Sequence, residues 1–188
     1  MMTQAPVSTF HPKKILVPMD FSVSSMAALA TASNLAQQFG SELYLLHVIP
    51  MLPIVTGMEF PTAFYPRQEF LADAEMDSEK RFTDFVANLA TQGVTATSKV
   101  EVGNDVVGNV LMVLERERAD LLVISTHGMS GWRPVVFGSI AEKVVKLAEC
   151  PVLLLRSAKD TDHQALKATK WSRQTRYRSR KRKSSNNP

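Results

Sequence analysis

The sequence predicts an open, five-stranded parallel α/β sheet, order 3-2-1-4-5, with helices on both faces. Two observations carry the prediction. Apolar runs without polar alternation, such as Ile15-Leu16-Val17 and Leu121-Leu122-Val123-Ile124, are what strands buried on both faces look like. These runs alternate with helix-length segments, and that alternation builds a parallel sheet covered on both sides. Right-handed crossovers leave few arrangements for five such strands. A third observation marks where chemistry belongs. A glycine-bearing loop from Ser125 to Ser139 joins the fourth strand to the last helix.

Taken in order, residues 1–12 are a polar lead-in ending at Pro12. Lys13–Met19 is the first strand. Asp20-Phe21-Ser22 turns into a helix from about Val23 to Phe39, with Ser22 or Ser24 as the cap and Gly40 as the stop. Its alanines, Ala27, Ala28, Ala30, Ala32 and Ala36, permit close packing on a sheet. Glu42–Ile49 is the second buried strand. Residues 50–66 hold Pro50, Pro53, Pro61 and Pro66 with Phe60, Phe64 and Tyr65. Prolines exclude a regular helix there. Such a stretch is either a lid or binding loop, or a loop packed on its own domain or a subunit interface. Gln68 to about Thr91 is a long helix with Phe70, Leu71, Phe82, Phe85, Val86 and Leu89 for its inner stripe. Thr95–Val102 alternates β-branched with polar residues, as an edge strand should. Asn104 or Asp105 caps a helix to about Arg118. Strand 120–124, the glycine loop, a helix over 139–149 and a strand over 151–156 complete the domain. Ser139 and Glu142 have the capping-box spacing for that last helix.

In the order 3-2-1-4-5 the winding reverses between strands 1 and 4, and ligands bind at the carboxyl ends of the strands there. The turn Pro18-Met19-Asp20 and the loop after strand 4 therefore open on one crevice. A glycine loop leading into a helix N-terminus aims backbone N–H groups and a favourable dipole at one point, so an anion, above all a phosphate, is its natural occupant. The loop is not a Walker A motif, because no Gly-Lys-Ser/Thr follows its glycines. Its spacing also differs from the dinucleotide fingerprint.

Hydrophobic residues make up 45% of the 188, ordinary for a globular domain. No apolar run is long enough to span a bilayer, and the first residues lack a signal-peptide pattern. Cys150 is the one cysteine, which excludes an internal disulfide framework. The expected location is the cytoplasm. The net charge of +4 conceals a split: residues 157–188 hold ten Lys/Arg and two Asp, or +8, which leaves −4 on residues 1–156.

The loop Ser125-Thr126-His127-Gly128, nine residues, then Gly138-Ser139 resembles the nucleotide-binding signature Gly-x2-Gly-x9-Gly-Ser/Thr of the universal stress protein family. Lys14 to Ser22, Leu45-Leu46-His47-Val48 and Cys150 to Leu155 resemble the family's first, second and last strands, in the family's order. The resemblance covers about residues 12–156 and implies a nucleotide-binding domain over 13–156, with ATP or AMP as ligand and Mg²⁺ or Mn²⁺ able to enter on the phosphates. It implies that Asp20 meets the nucleoside, although the residues alone favour a helix cap. It implies that the Val48 backbone pairs with the adenine edge and that Pro18 shapes the pocket wall. Gly128, Gly138 and Ser139 become the phosphate positions, with His127 inside the same loop. Ser125 departs from the family glycine: its hydroxyl is able to donate to phosphate, yet its side chain fills space that glycine leaves open. A homodimer joined through Val152–Leu155 is implied as well.

No catalytic residue and no metal site is expected. His127 has no second residue to complete a dyad, and no His/Cys/Asp/Glu cluster has metal spacing. His47 reads as a hydrogen-bonded core residue and Cys150 as an inert thiol. Arg133 is either a surface arginine or a counter-charge for a phosphate. The tail 157–188, with Trp171 and Tyr177 among its cations, cannot fold alone. It is either a solvated extension or a contact for nucleic acid or anionic lipid. The leading expectation is an adenine-nucleotide-binding stress-response protein acting as a binding or switch module. The alternatives are a slow ATPase or nucleotidyl-transfer enzyme on the same fold, and a polyanion-binding protein acting through its tail.

Overall fold

The computed structural model describes residues 10–51, 68–126 and 138–156. Within them lie β1 (Lys14–Pro18), α1 (Val23–Phe39), β2 (Glu42–Pro50), α2 (Gln68–Thr91), β3 (Ala96–Gly103), α3 (Val106–Arg116), β4 (Leu121–Ser125), α4 (Ser139–Leu147) and β5 (Val152–Leu155). The strands form one sheet in the order β3-β2-β1-β4-β5, parallel throughout. This is the architecture predicted. The loop of residues 50–66, apart from Pro50 and Met51, lies outside the described residues, as does the basic tail.

The pleat sorts the core into two layers, because successive strand residues face opposite sides. Ile15, Val17, Leu43, Leu45 and Val123 pack with Ala28, Ala32 and Ala36 of α1 and with Phe82 and Leu89 of α2. Leu16, Tyr44, Leu46, Leu122 and Ile124 pack with Val110 and Val113 of α3 and with Ala141 and Val144 of α4. The continuous apolar runs are thus shared between the layers, which is why they show no alternation.

Local chemistry sets most of the boundaries. The Ser22 hydroxyl accepts from the Ser25 amide and caps α1, and Gly40 ends the helix in the left-handed conformation at φ 68°. Asp105, not Asn104, caps α3 by accepting from Val107. That helix stops at Arg116, two residues short of the expected end, because Arg118 is itself left-handed at φ 52°.

Phe70 corrects one expectation. It is exposed, whereas Phe82 and Leu89 are buried and Leu71, Phe85 and Val86 pack at the core margin. Twelve residues separate Phe70 from Phe82, which is about 120° around a helix of 3.6 residues per turn. The inner stripe cannot hold both. β3 keeps Thr97, Ser98 and Lys99 exposed at one sheet edge. At the other edge, all four residues of β5 are half-buried. Among the described residues, no helix is long and apolar enough to cross a membrane.

Candidate functional site

β1 and β4 are direct neighbours, in register at Ile15–Leu121 and Leu16–Leu122, so their carboxyl ends share one edge. Pro18 ends β1 and is half-buried. Met19 continues toward β2 by donating its amide to Leu46 O at 2.7 Å. Asp20 comes next. Its Oδ1 accepts from the Ser22 amide at 3.1 Å and from the Ser22 hydroxyl at 2.6 Å, a side-chain turn of the kind aspartate favours. Ser22 is the helix cap, and Asp20 braces that cap rather than serving as one itself.

β2 runs farther than its neighbour. Pro18 pairs with Leu46, yet β2 stays paired with β3 as far as Pro50–Gly103. The backbone of a parallel strand alternates the neighbour it addresses. Glu42 donates to Lys13 on the β1 side, while Leu43 and Met51 donate to Thr95 and Gly103 on the β3 side. Even-numbered residues of β2 therefore face β1. Val48 is even-numbered and lies two residues past the last pair. Its N–H and C=O point to the β1 side where β1 has already ended, while its side chain is buried among the α3 and α4 contacts.

Between these two strand ends sits a residue that the sequence did not single out. Phe21 has φ 59°, a left-handed conformation that costs a bulky side chain roughly 1–3 kcal/mol. Its ring lies 4.7 Å from the His47 ring, 5.4 Å from Phe82 and 6.2 Å from Phe85, and the Arg81 guanidinium stands 5.2 Å over it. His47 Nδ1 is 2.7 Å from Met19 O. A carbonyl only accepts, so Nδ1 carries the proton. Burial pushes the His47 pKa below its ordinary value, and the bond to Met19 and the nearby Asp20 oppose that shift without reversing it. Burial thereby favours the neutral ring. His47 is thus hydrogen-bonded, as expected, but half-buried beside the core rather than within it. Nothing in the string Asp20-Phe21-Ser22 signals a left-handed phenylalanine, because the cause is packing from β2 and α2.

On the other side of the crevice, Ser125 is the last residue of β4, opposite Leu155. Thr126 is almost fully buried. Its amide donates to Leu155 O at 2.8 Å, and its carbonyl accepts from the Gly138 amide at 2.7 Å. One residue thereby ties the end of β4 to both β5 and the start of α4. His127, Gly128, Gly131 and Arg133 lie outside the described residues.

The start of α4 differs from the capping box expected. Gly138 is the cap, extended at φ −69° and ψ 147°, and among the described residues no side chain caps the helix. Ser139 is already the first helical residue, because the Gly138 amide is drawn back to Thr126 and its carbonyl accepts from Glu142 N at 2.9 Å. The Glu142 carboxylate pairs instead with Lys146 at 2.7 Å, which holds its pKa below the ordinary carboxylate value. The first-turn amides of a helix have no intrahelical acceptors. Here no cap side chain takes them up, and the dipole favours an anion at their mouth.

The carboxyl edge thus gathers Pro18, Asp20, the Val48 backbone, Ser125, Gly138 and Ser139. Elsewhere, a cleft of about 400 Å³ lies between the C-terminal parts of α3 and α4, lined by Leu111, Met112, Arg118, Leu147 and Cys150 among others. Two helix C-termini meet there, and their carbonyls disfavour an anion. Burial raises the Cys150 pKa, which keeps the thiol protonated and unreactive. Among the described residues, no group of three or more His, Cys, Asp or Glu side chains is placed to hold a metal.

The family model described as the universal stress protein family matches residues 11–156. A universal stress protein of Methanocaldococcus jannaschii is 30% identical over 147 residues, 78% of this chain and 84% of that protein. The solved structure of universal stress protein UspA from Lactobacillus plantarum superposes with a TM-score of 0.66 at 24% identity, covering 79% of this chain and all of that one. A universal stress protein from Archaeoglobus fulgidus, solved in complex with dAMP, superposes with a TM-score of 0.54 at 18% identity, covering 77% and 98% of the two chains. With a match across the whole sheet and both halves of the crevice, the chain belongs to the universal stress protein family.

Proposed function

We propose that the domain over 13–156 binds an adenine nucleotide, ATP or AMP, at the carboxyl edge of β1 and β4 and acts in the cytoplasm as a stress-response switch. The observation that carries this reading is the N-terminus of α4, capped by no side chain among the described residues, on the same edge as Asp20 and the stretch of β2 that runs past the end of β1. In this reading the phosphates lie at Gly138 and Ser139 with Gly128, and His127 and Ser125 border them. Asp20 receives a ribose hydroxyl or the adenine amino group. The Val48 backbone presents one donor and one acceptor to the adenine edge, and Pro18 forms the wall. The dAMP complex of the Archaeoglobus fulgidus protein supports the ligand class. Mg²⁺ or Mn²⁺ enters with the phosphates, whose oxygens suit hard cations. A slow ATPase or nucleotidyl transferase on the same fold is the alternative to a binding role. Calorimetric titration with ATP and with AMP should each saturate near one site per chain. Absence of heat and of thermal stabilisation with both would end this reading, and steady phosphate release from ATP would favour the enzyme.

The partner in this proposal is a second copy, joined through β5. Val152-Leu153-Leu154-Leu155 is wholly apolar and only half-buried at the sheet edge, and a bare edge of that kind invites pairing. Light scattering should show wild-type dimers. Leu154→Lys should give monomers or insoluble protein, and a wild-type monomer at micromolar concentration would refute the dimer.

A second reading concerns the tail. Its charge of +8 against −4 on residues 1–156 suits a polyanion contact independent of the nucleotide. Fluorescence anisotropy should show oligonucleotide binding that weakens steeply with salt and disappears when 157–188 are deleted, with ATP titration unchanged. Binding that survives the deletion or ignores salt would exclude the tail as the contact.

A further inference from the structure

Asp20 is bracketed by two residues that are both tied to His47. Met19, before it, has its carbonyl on His47 Nδ1 at 2.7 Å. Phe21, after it, has its ring 4.7 Å from the His47 ring. α2 closes the arrangement from the other side with Phe82 and Phe85. Arg81 lies over the Phe21 ring and is itself held by Asp77 at 2.9 Å.

We propose that Phe21 and His47 are positioning residues for the nucleotide site, fixing the backbone turn that carries Asp20. The nucleotide part of this inference rests on the function proposed above. The geometry supplies the reason. A phenylalanine at φ 59° returns to negative φ unless its surroundings hold it. Rotation there swings Ser22 away from Asp20 and breaks both bonds between them. The rings of His47, Phe82 and Phe85 and the Arg81 guanidinium provide the hold on the far side of Asp20, and the His47–Met19 bond provides it on the near side. α2 thereby acts on the crevice through Phe21 without contributing a ligand.

The test uses the full chain with two readouts, one of which needs no nucleotide. Amide hydrogen exchange by NMR reports the Ser22 N–H, which is protected by its bond to Asp20. In Phe21→Gly, where the left-handed turn is allowed but the ring is lost, Ser22 exchange should accelerate roughly tenfold or more while the β1 amides stay protected. ATP affinity should fall about tenfold, the worth of one charge-assisted hydrogen bond. His47→Phe, which keeps a ring and loses the donor, should show the same pair of changes. His47→Asn, whose amide nitrogen stands near the Nδ1 position, should restore Ser22 protection relative to His47→Phe. Unchanged Ser22 exchange in both Phe21→Gly and His47→Phe overturns the proposal. Loosened exchange with unchanged ATP affinity overturns it equally. If wild type binds neither ATP nor AMP while Ser22 exchange still responds, the nucleotide reading fails and the hold on the turn stands.

Discussion

Gly138→Val should reduce ATP affinity by about 100-fold or more while leaving the protein folded. The backbone argument comes first. Gly138 is extended at φ −69° and ψ 147°, a conformation any residue adopts, so valine introduces no left-handed strain. The two bonds that anchor the helix start, Gly138 N–H to Thr126 O and Glu142 N–H to Gly138 O, are backbone bonds and survive the change. A poorer cap residue costs about 1 kcal/mol of stability. The ligand fares differently. Phosphate oxygens must approach the first-turn amides of α4 closely, and a branched side chain at the cap occupies that approach. Two charge-assisted bonds at about 1.5–3 kcal/mol each correspond to 100-fold or more in affinity. Calorimetry gives the affinity and thermal melting gives the fold. Equal ATP binding by wild type and variant would remove Gly138 from the site.

Phe82→Ala should destabilise the domain by about 3–5 kcal/mol, the usual cost of emptying a buried aromatic site. Phe82 is 1% exposed and packs in the layer between α1, α2 and the sheet. Domains of this size have roughly 5–15 kcal/mol in total, so the loss is a large fraction. Urea unfolding should show a lower midpoint at unchanged slope. Phe82→Leu, which leaves a smaller void, should recover more than half of the loss. A destabilisation below about 1 kcal/mol for Phe82→Ala would mean that the site collapses and that α2 is not fixed through this ring.

The fold was legible because its signals are additive and local. Ile15 to Val17 and Leu121 to Ile124 carry no alternation because both faces of the sheet are covered, and Ser22 and Gly40 mark the ends of α1 by their own chemistry. The crevice followed from topology, since the reversal between β1 and β4 places Asp20 on one edge with Ser125, Gly138 and Ser139. The polar cap signals were read less well. Ser139 with Glu142 fits a capping box on spacing alone, but the Thr126 carbonyl pulls Gly138 into the cap position and shifts the helix start by one residue. Phe70 looked like core because composition does not record helical phase relative to the sheet.

Sequence by itself determined the strand and helix order and the family, because burial pattern and turn chemistry act between near neighbours in the chain. Tertiary structure alone decided three things. The Val48 backbone faces the crevice because β1 stops while β2 continues. Gly138, with no side chain to offer the α4 amides, holds the cap position because Thr126, twelve residues upstream, claims its amide. Phe21 stays left-handed because His47 and α2, 26 and about 60 residues away in the chain, pack around its ring. Each depends on contacts between distant segments, and no local pattern encodes such contacts.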